Sequence, residues 1–264
     1  MAVVEDGCVE VSSAPSPSSV PEIVRNYNNK LSAVVFDFDG TLANSFDLFM
    51  GIFEAEVNKR ITSQVGHDEL ADIVQGILMS EVEQGMKSPK KLLMQIFYRT
   101  CRELGLSRVS SGYVTCNAAL RIQRRYNEIE LFPKAEDLLS TLHEEGIPTV
   151  LVTLSSKKHV LEILRKNDLE NYFHIVLDKK DLGDLEKTHG IRQALQALGV
   201  DSSELERVLA IGDLPSDISD GKQVGVKTAA VLTGPMVAEK LIDSEPDYVF
   251  SDLADFLTIF KRSI

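Results

Sequence analysis

The sequence predicts an α/β protein: a Rossmann-like parallel sheet core with helices on both faces, plus an inserted all-helical cap domain. Three features carry this prediction. Six short apolar runs punctuate the chain, at Ala33 to Phe36, 148–152, 173–177, 207–212, 227–232 and 247–250. They show no polar–apolar alternation, as expected of strands covered on both faces. Helical patterns fill the gaps after the second run, which is the rhythm of βα units. Between the first run and the second, about 85 residues (46–130) read as helix alone.

Taken in order, residues 1–30 read as a flexible tail, because the Ser- and Pro-rich stretch 12–21 neither nucleates a helix nor builds a core. The core is expected over 31–45 and 131–264, flanking the helical cap at 46–130. At Leu31 the segment LSAVVFDFDG reads as a buried strand that feeds a tight turn. The cap is amphipathic, has few β-branched runs and contains one internal proline, Pro89. Pro133 is placed at a first helical position, followed by an apolar face of Ala135, Leu138, Leu139 and Leu142 and a stop at Gly146. Val160, Ile163 and Leu164 mark the next helix. Ile191, Ala194, Leu195 and Leu198 mark another, closed by Gly199.

Composition narrows the function. Of 264 residues, 28 are Lys or Arg and 40 are Asp or Glu, a net charge of −12. Such a chain lacks the basic footprint of a general nucleic-acid binder or a membrane-surface protein. Cys8, Cys101 and Cys116 are far apart and form no CxxC pair, so neither a disulfide framework nor a zinc site is expected. There is no apolar stretch long enough to span a membrane. The N-terminus carries acids where a signal peptide carries positive charge, so the expected location is cytoplasmic. Within the cap, residues 46–86 hold two bases and eight acids, whereas 87–130 hold nine bases and three acids. Two readings follow: the halves pair as facing helices, or some of Lys87, Lys90, Lys91, Arg99, Arg121, Arg124 and Arg125 face an anionic ligand.

In an open parallel sheet, ligands bind beyond the carboxyl ends of the strands. After the first strand come Asp37 and Asp39, which project to one side of an extended chain, roughly 6–7 Å apart. Thr153 follows the second strand. Asp213 and Asp217 follow the strand ending at Ile211. Four carboxylates converging on one edge raise one another's pKa and oppose folding. A hard divalent cation relieves this, and Mg²⁺ suits one or two carboxylates, water and a phosphate oxygen. A calcium loop fits poorly, since its sixth and twelfth positions would be Leu42 and Leu48. No phosphate-binding P-loop, dinucleotide fingerprint or nucleophile elbow is present. His67, His143, His159, His174 and His189 show no metal-ligand spacing.

At these residues the chain resembles the haloacid dehalogenase-like superfamily, in its phosphoglycolate phosphatase and β-phosphoglucomutase-like branch with a helical cap. The first motif stands as Asp37-Phe38-Asp39-Gly40-Thr41-Leu42. The second is matched by Thr153 in VLVTLSS, and the fourth by Gly212, Asp213 and Asp217. The segment LFPKAEDLLSTLHEEGIPTVLVT looks like the return from cap to core. The third motif, a lysine opening a helix, is best matched by Lys187, with Lys179 and Lys180 as competitors. Departures are Thr188 where proline is usual, Asn44 where an acid is common, and Leu154 where Asn or Ser is common.

The resemblance implies a catalytic set of Asp37, Asp39, Thr153 and Lys187, and a Mg²⁺ site at Asp37, the Asp39 carbonyl and Asp213. Asp217 would orient the metal's water shell or Lys187. Asp37 would attack phosphorus, Asp39 would serve as acid and then base, and Thr153 and Lys187 would hold the phosphoryl oxygens. The implied activity is a phosphatase acting on a small phosphorylated metabolite. Asp39 argues against a dehalogenase, and no cap lysine is identified for a phosphonate hydrolase. The alternatives are a phosphomutase with the same core, or a non-catalytic binding protein on this fold. The sequence does not fix the oligomeric state.

Overall fold

The computed structural model describes residues 31–83, 89–182 and 187–263. The expected N-terminal tail and Lys87 lie outside the described residues. All six expected strands form: β1 (Ala33–Phe36), β2 (Thr149–Val152), β3 (Phe173–Leu177), β4 (Val208–Gly212), β5 (Lys227–Val231) and β6 (Tyr248–Phe250). They make one sheet in the order β3-β2-β1-β4-β5-β6, with every pair parallel. The order reverses between β1 and β4, the position where such sheets open a crevice at their carboxyl edge.

The helices are α1 (Ser45–Val57), α2 (His67–Glu83), α3 (Pro89–Glu103), α4 (Arg108–Arg125), α5 (Ala135–Glu144), α6 (Lys157–Lys166), α7 (Lys179–Leu182), α8 (Lys187–Ala197), α9 (Pro215–Val224), α10 (Ala238–Asp243) and α11 (Leu253–Ser263). β1 shows why its residues are apolar on both sides. Val34 and Phe36 pack with Leu138, Leu142, Ile163 and Phe256 of α5, α6 and α11. Ala33 and Val35 belong to the opposite layer, with Ile191 and Leu195 of α8 and Val224 of α9. A period of two thus feeds two cores. Phe36 lies opposite both Leu151 and Ile211, so the residues after β1, β2 and β4 emerge side by side.

The helical insert has breaks that the helix-throughout expectation missed. Residues 58–66 are not helical, and the Asn58 side chain closes this loop by donating to the Val65 carbonyl (3.0 Å) and accepting the Val65 N–H (2.9 Å). Pro89 is the first described residue of α3, and residues 84–88 before it lie outside the described residues. Phe53 of α1 stacks on Phe97 of α3 with ring centroids 3.9 Å apart, at the centre of the insert. Its charges pair across helices: buried Glu56 of α1 accepts from Arg121 of α4 and from Lys59, and buried Glu81 of α2 accepts from Arg99 of α3. The acidic first half and basic second half therefore meet as facing helices.

The chain crosses between core and insert twice, at 42–44 and 130–132. The crossings are bonded to each other, Asn44 N–H to the Glu130 carbonyl (2.8 Å) and Phe132 N–H to the Leu42 carbonyl (2.9 Å). Past the second crossing, Pro133 is not the first helical residue. Lys134 takes a left-handed φ of 69° and α5 begins at Ala135, so Pro133 stands in the turn before it. Among the described residues no helix is long and apolar enough to cross a membrane.

Candidate active site

Asp37 is the first residue beyond β1, pinned to the neighbouring strand by its N–H to the Ile211 carbonyl (3.0 Å). Its carboxylate meets the Lys187 ammonium at 2.8 Å, and the same ammonium donates to Asp217 at 2.7 Å. Lys187 is the first described residue of α8 and is buried. Asp217 lies in the first turn of α9, where its second oxygen accepts the Leu214 N–H (3.1 Å) and so satisfies a free donor at the helix start. Asp213 follows β4, is 1% exposed, and accepts from the Thr41 hydroxyl at 3.0 Å. A side chain at Gly40 or Gly234 would collide with the Asp213 carboxylate, and Gly40 also has a φ of +83°. The two backbones close on Asp213 because neither residue has a Cβ.

Carboxylate oxygens of Asp37, Asp213 and Asp217 lie within 4.8 Å of one another. Burial, reinforced by Asp217 against the pull of Lys187, pushes the Asp37 carboxyl up to about 7. Asp213 is held well above the ordinary carboxylate range by burial first, then by Asp217 and Asp37. Burial would lower the Lys187 ammonium, but Asp217 and Asp37 overcome it and hold the group above the usual lysine range. One ammonium thus faces three buried carboxylates. Such an all-oxygen, under-neutralised donor set fits a hard divalent cation.

Asp39 is oriented differently. Its Oδ1 accepts from the Tyr126 hydroxyl at 2.6 Å and its Oδ2 from the Ser155 hydroxyl at 2.5 Å. Its carboxylate is therefore separate from the three-carboxylate cluster. Buried Thr153 accepts the Ser155 N–H at its hydroxyl oxygen (3.0 Å), which leaves the hydroxyl proton available to a ligand.

Residues 34–231 match the family model described as haloacid dehalogenase-like hydrolase. The chain belongs to this family. Its relatives include a pyrophosphatase PpaX of Bacillus pumilus (strain SAFR-032), 26% identical over 231 residues, 87% of this chain and 96% of that protein. Another is a phosphoglycolate phosphatase of Synechococcus elongatus (strain ATCC 33912 / PCC 7942 / FACHB-805), 24% identical over 227 residues, with coverages of 86% and 96%. Among solved structures, a protein of Haemophilus somnus 129pt described as a predicted phosphoglycolate phosphatase superposes with a TM-score of 0.68. It is 20% identical and covers 88% of this chain and 99% of its own. That likeness concerns the fold.

The structure gathers all six site residues expected of this dehalogenase-like hydrolase at one sheet edge, and it separates Lys187 from its competitors. Lys179 and Lys180 lie in α7, where the Lys180 N–H donates to Asp178 (2.8 Å). Asp178 was not singled out in the sequence. It also accepts the N–H groups of Lys157 (2.8 Å) and Asp181 (3.1 Å), fastening the loop after β2 to the end of β3. Tyr126 and Thr233, whose hydroxyl donates to the Gly40 carbonyl (2.7 Å), were likewise missed, and Thr41 carries no role in the sequence beyond its place in the first motif. Asn44 donates to Asp47 (2.6 Å) in the first turn of α1. Of the basic insert residues, Arg99 and Arg121 are paired with buried glutamates, and Arg125 pairs with Glu128 (2.6 Å). Arg124 joins Lys59, Arg60 and Arg121 around an open cavity of about 440 Å³ that shares no residue with the carboxylate cluster.

Proposed function

We propose that this protein is a Mg²⁺-dependent phosphatase that hydrolyses a small phosphorylated compound through an aspartyl-phosphate intermediate. The observation that carries the reading is the division between two carboxylates two residues apart. Asp37 sits in the buried cluster against Lys187, and Asp39 is held apart by two hydroxyls. Two carboxyl groups in unlike surroundings suit two roles, nucleophile and proton carrier. The names of the relatives, a pyrophosphatase and a phosphoglycolate phosphatase, support phosphoryl chemistry.

In this reading an Asp37 oxygen attacks phosphorus, the bond from phosphorus to the leaving oxygen breaks, and that oxygen takes its proton from Asp39. Water then attacks the aspartyl phosphate and gives its proton to Asp39, and phosphate leaves with Asp37 restored. Thr153 donates its hydroxyl to a phosphoryl oxygen. Lys187 places its charge beside the transferring group, while Asp217 holds the ammonium in place. Asp37, Asp213 and the Asp39 carbonyl would hold Mg²⁺, with Asp217 ordering its water shell, and the ion would neutralise charge on the phosphoryl oxygens. The insert serves as a cap that shields the site from bulk water.

The test is phosphate release from a panel containing pyrophosphate, phosphoglycolate and sugar phosphates, with Mg²⁺ and with EDTA, beside Asp37→Asn. Metal-dependent release that vanishes in Asp37→Asn is expected. Release that survives Asp37→Asn refutes the nucleophile. Conversion of a hexose 1-phosphate to its isomer without free phosphate would make the protein a mutase. A chain inactive on the whole panel would favour the binding-protein reading.

A further inference from the structure

We propose that Tyr126 is the positioning residue for Asp39, so that the seating of the helical insert sets the aim of the proton-transferring carboxylate. The inference rests on the phosphatase reading above. Tyr126 belongs to neither the strand-end motifs nor the charged cluster. It lies 87 residues from Asp39 in sequence, in the 3₁₀ turn Tyr126–Glu128 that ends α4. Its hydroxyl nevertheless lies 2.6 Å from Asp39 Oδ1.

The ring is held from both sides. Phe49 of α1, in the insert, packs against it with centroids 6.1 Å apart. His159 of α6, in the core, stacks on it at 5.3 Å and 28°. Tyr126 is therefore a wedge between the two units, and its hydroxyl is the tip that reaches the site. Ser155 supplies the second grip from the core side alone. With both oxygens accepting, the Asp39 carboxylate has one defined rotation, and proton transfer depends on such alignment. A shift of α1 relative to α6 moves the Tyr126 oxygen and loosens one of the two grips. Ser155 is unaffected by such a shift, so the link between insert position and carboxylate aim runs through the tyrosine.

Tyr126→Phe removes the hydroxyl and keeps the ring contacts, and Ser155→Ala removes the other grip. The readout is the first-turnover release of phenols from aryl phosphates, from phenyl phosphate to 2,4-dinitrophenyl phosphate, with Mg²⁺ present. A poor leaving group needs the proton and a good one does not. Tyr126→Phe is expected to slow phenyl phosphate roughly 10–100-fold, part of the 10²–10⁴ that acid–base catalysis supplies, with KM nearly unchanged. On 2,4-dinitrophenyl phosphate it is expected to match the wild type. Ser155→Ala should give the same signature, and Asp39→Asn a larger one. Equal loss across the series, or no loss at all, overturns the role of Tyr126. If Asp37→Asn keeps activity, or the wild type cleaves none of the series, the phosphatase reading fails and this inference with it.

Discussion

Two buried carboxylates, Glu56 in the helical insert and Asp213 at the sheet edge, are handled in opposite ways. Burial alone would raise Glu56, but Lys59 and Arg121 bring it below the ordinary carboxylate range. Asp213 is raised, first by burial and then by two neighbouring carboxylates, and the one ammonium bonds to those two instead. The insert therefore completes its own charge balance and the edge does not. A paired buried charge is a structural solution, whereas an under-neutralised cluster of oxygens is poised for something from outside. On the proposed reading, the difference places the chemistry at the edge and support in the insert.

The sharpest way to break the comparison is to neutralise one carboxylate in each region. Asp37→Asn should lower turnover on the order of 10⁴–10⁶-fold, as loss of a nucleophile does. Glu56→Gln should leave turnover unchanged. Steady-state rates on the best substrate of the panel decide this, and similar losses would erase the distinction.

The next contrast is in stability. In EDTA, Lys187→Met should cost about 3–5 kcal/mol, because it leaves buried carboxylates without their cation. Adding Mg²⁺ should recover part of that loss. Glu56→Gln should cost only about 1 kcal/mol, since both its partners reach water and such pairs are screened. Urea denaturation with and without Mg²⁺ measures both.

The pH dependence should have opposite signs. The raised Asp37 binds a proton up to about pH 7 when folded but only to about 3.8 when unfolded. Between those values the folded chain holds more protons, so this group's contribution to stability falls as pH rises. Glu56, lowered on folding, contributes stability above its unfolded pKa that is lost on acidification through its folded value. The rise in melting temperature on adding Mg²⁺ should accordingly be larger at pH 8 than at pH 5. An equal rise at both would show that the edge carboxylates are not the cation's ligands.

The smallest effects come from methyl groups. Gly234→Ala drives a methyl into the Asp213 carboxylate and should cost about 1–3 kcal/mol. Gly76→Ala, in α2 with nothing near its added Cβ, should stabilise by about 0.5–1 kcal/mol. Thermal melts of the two variants should move in opposite directions.

What the sequence made legible follows the same division. The strands were readable because a sheet buried on both faces demands unbroken apolar runs, and VVF and VLAIG offer little else. Asp37 and Asp213 were readable because each stands directly beyond such a run, and Asp39 and Asp217 because they follow these two within four residues. Lys187 was less so: its residue type is common, and it ranked above Lys179 and Lys180 because it stands at the start of the helix marked by Ile191 and Leu198, where the family resemblance calls for a lysine. Tyr126 was invisible, since its partner is 87 residues away and no spacing rule links a tyrosine at a helix end to an aspartate after a strand. The position of Pro133 was misread for a local reason. Pro133 suits a helix start, but a left-handed Lys134 intervenes before α5.

The placement of the insert also has a consequence in time. β1 is buried along its whole length, yet Val34 pairs with Thr149 and with Leu209, both of which lie beyond the entire insert. At a synthesis rate of about 5–20 residues per second, the ribosome needs on the order of ten seconds to supply the first of these partners. During that interval an apolar strand waits with both hydrogen-bonding edges bare, while the helices of the insert can form from contacts near in sequence. A substitution that slows the insert's folding should therefore appear first as aggregation of the nascent chain, before any loss of chemistry in the molecules that mature.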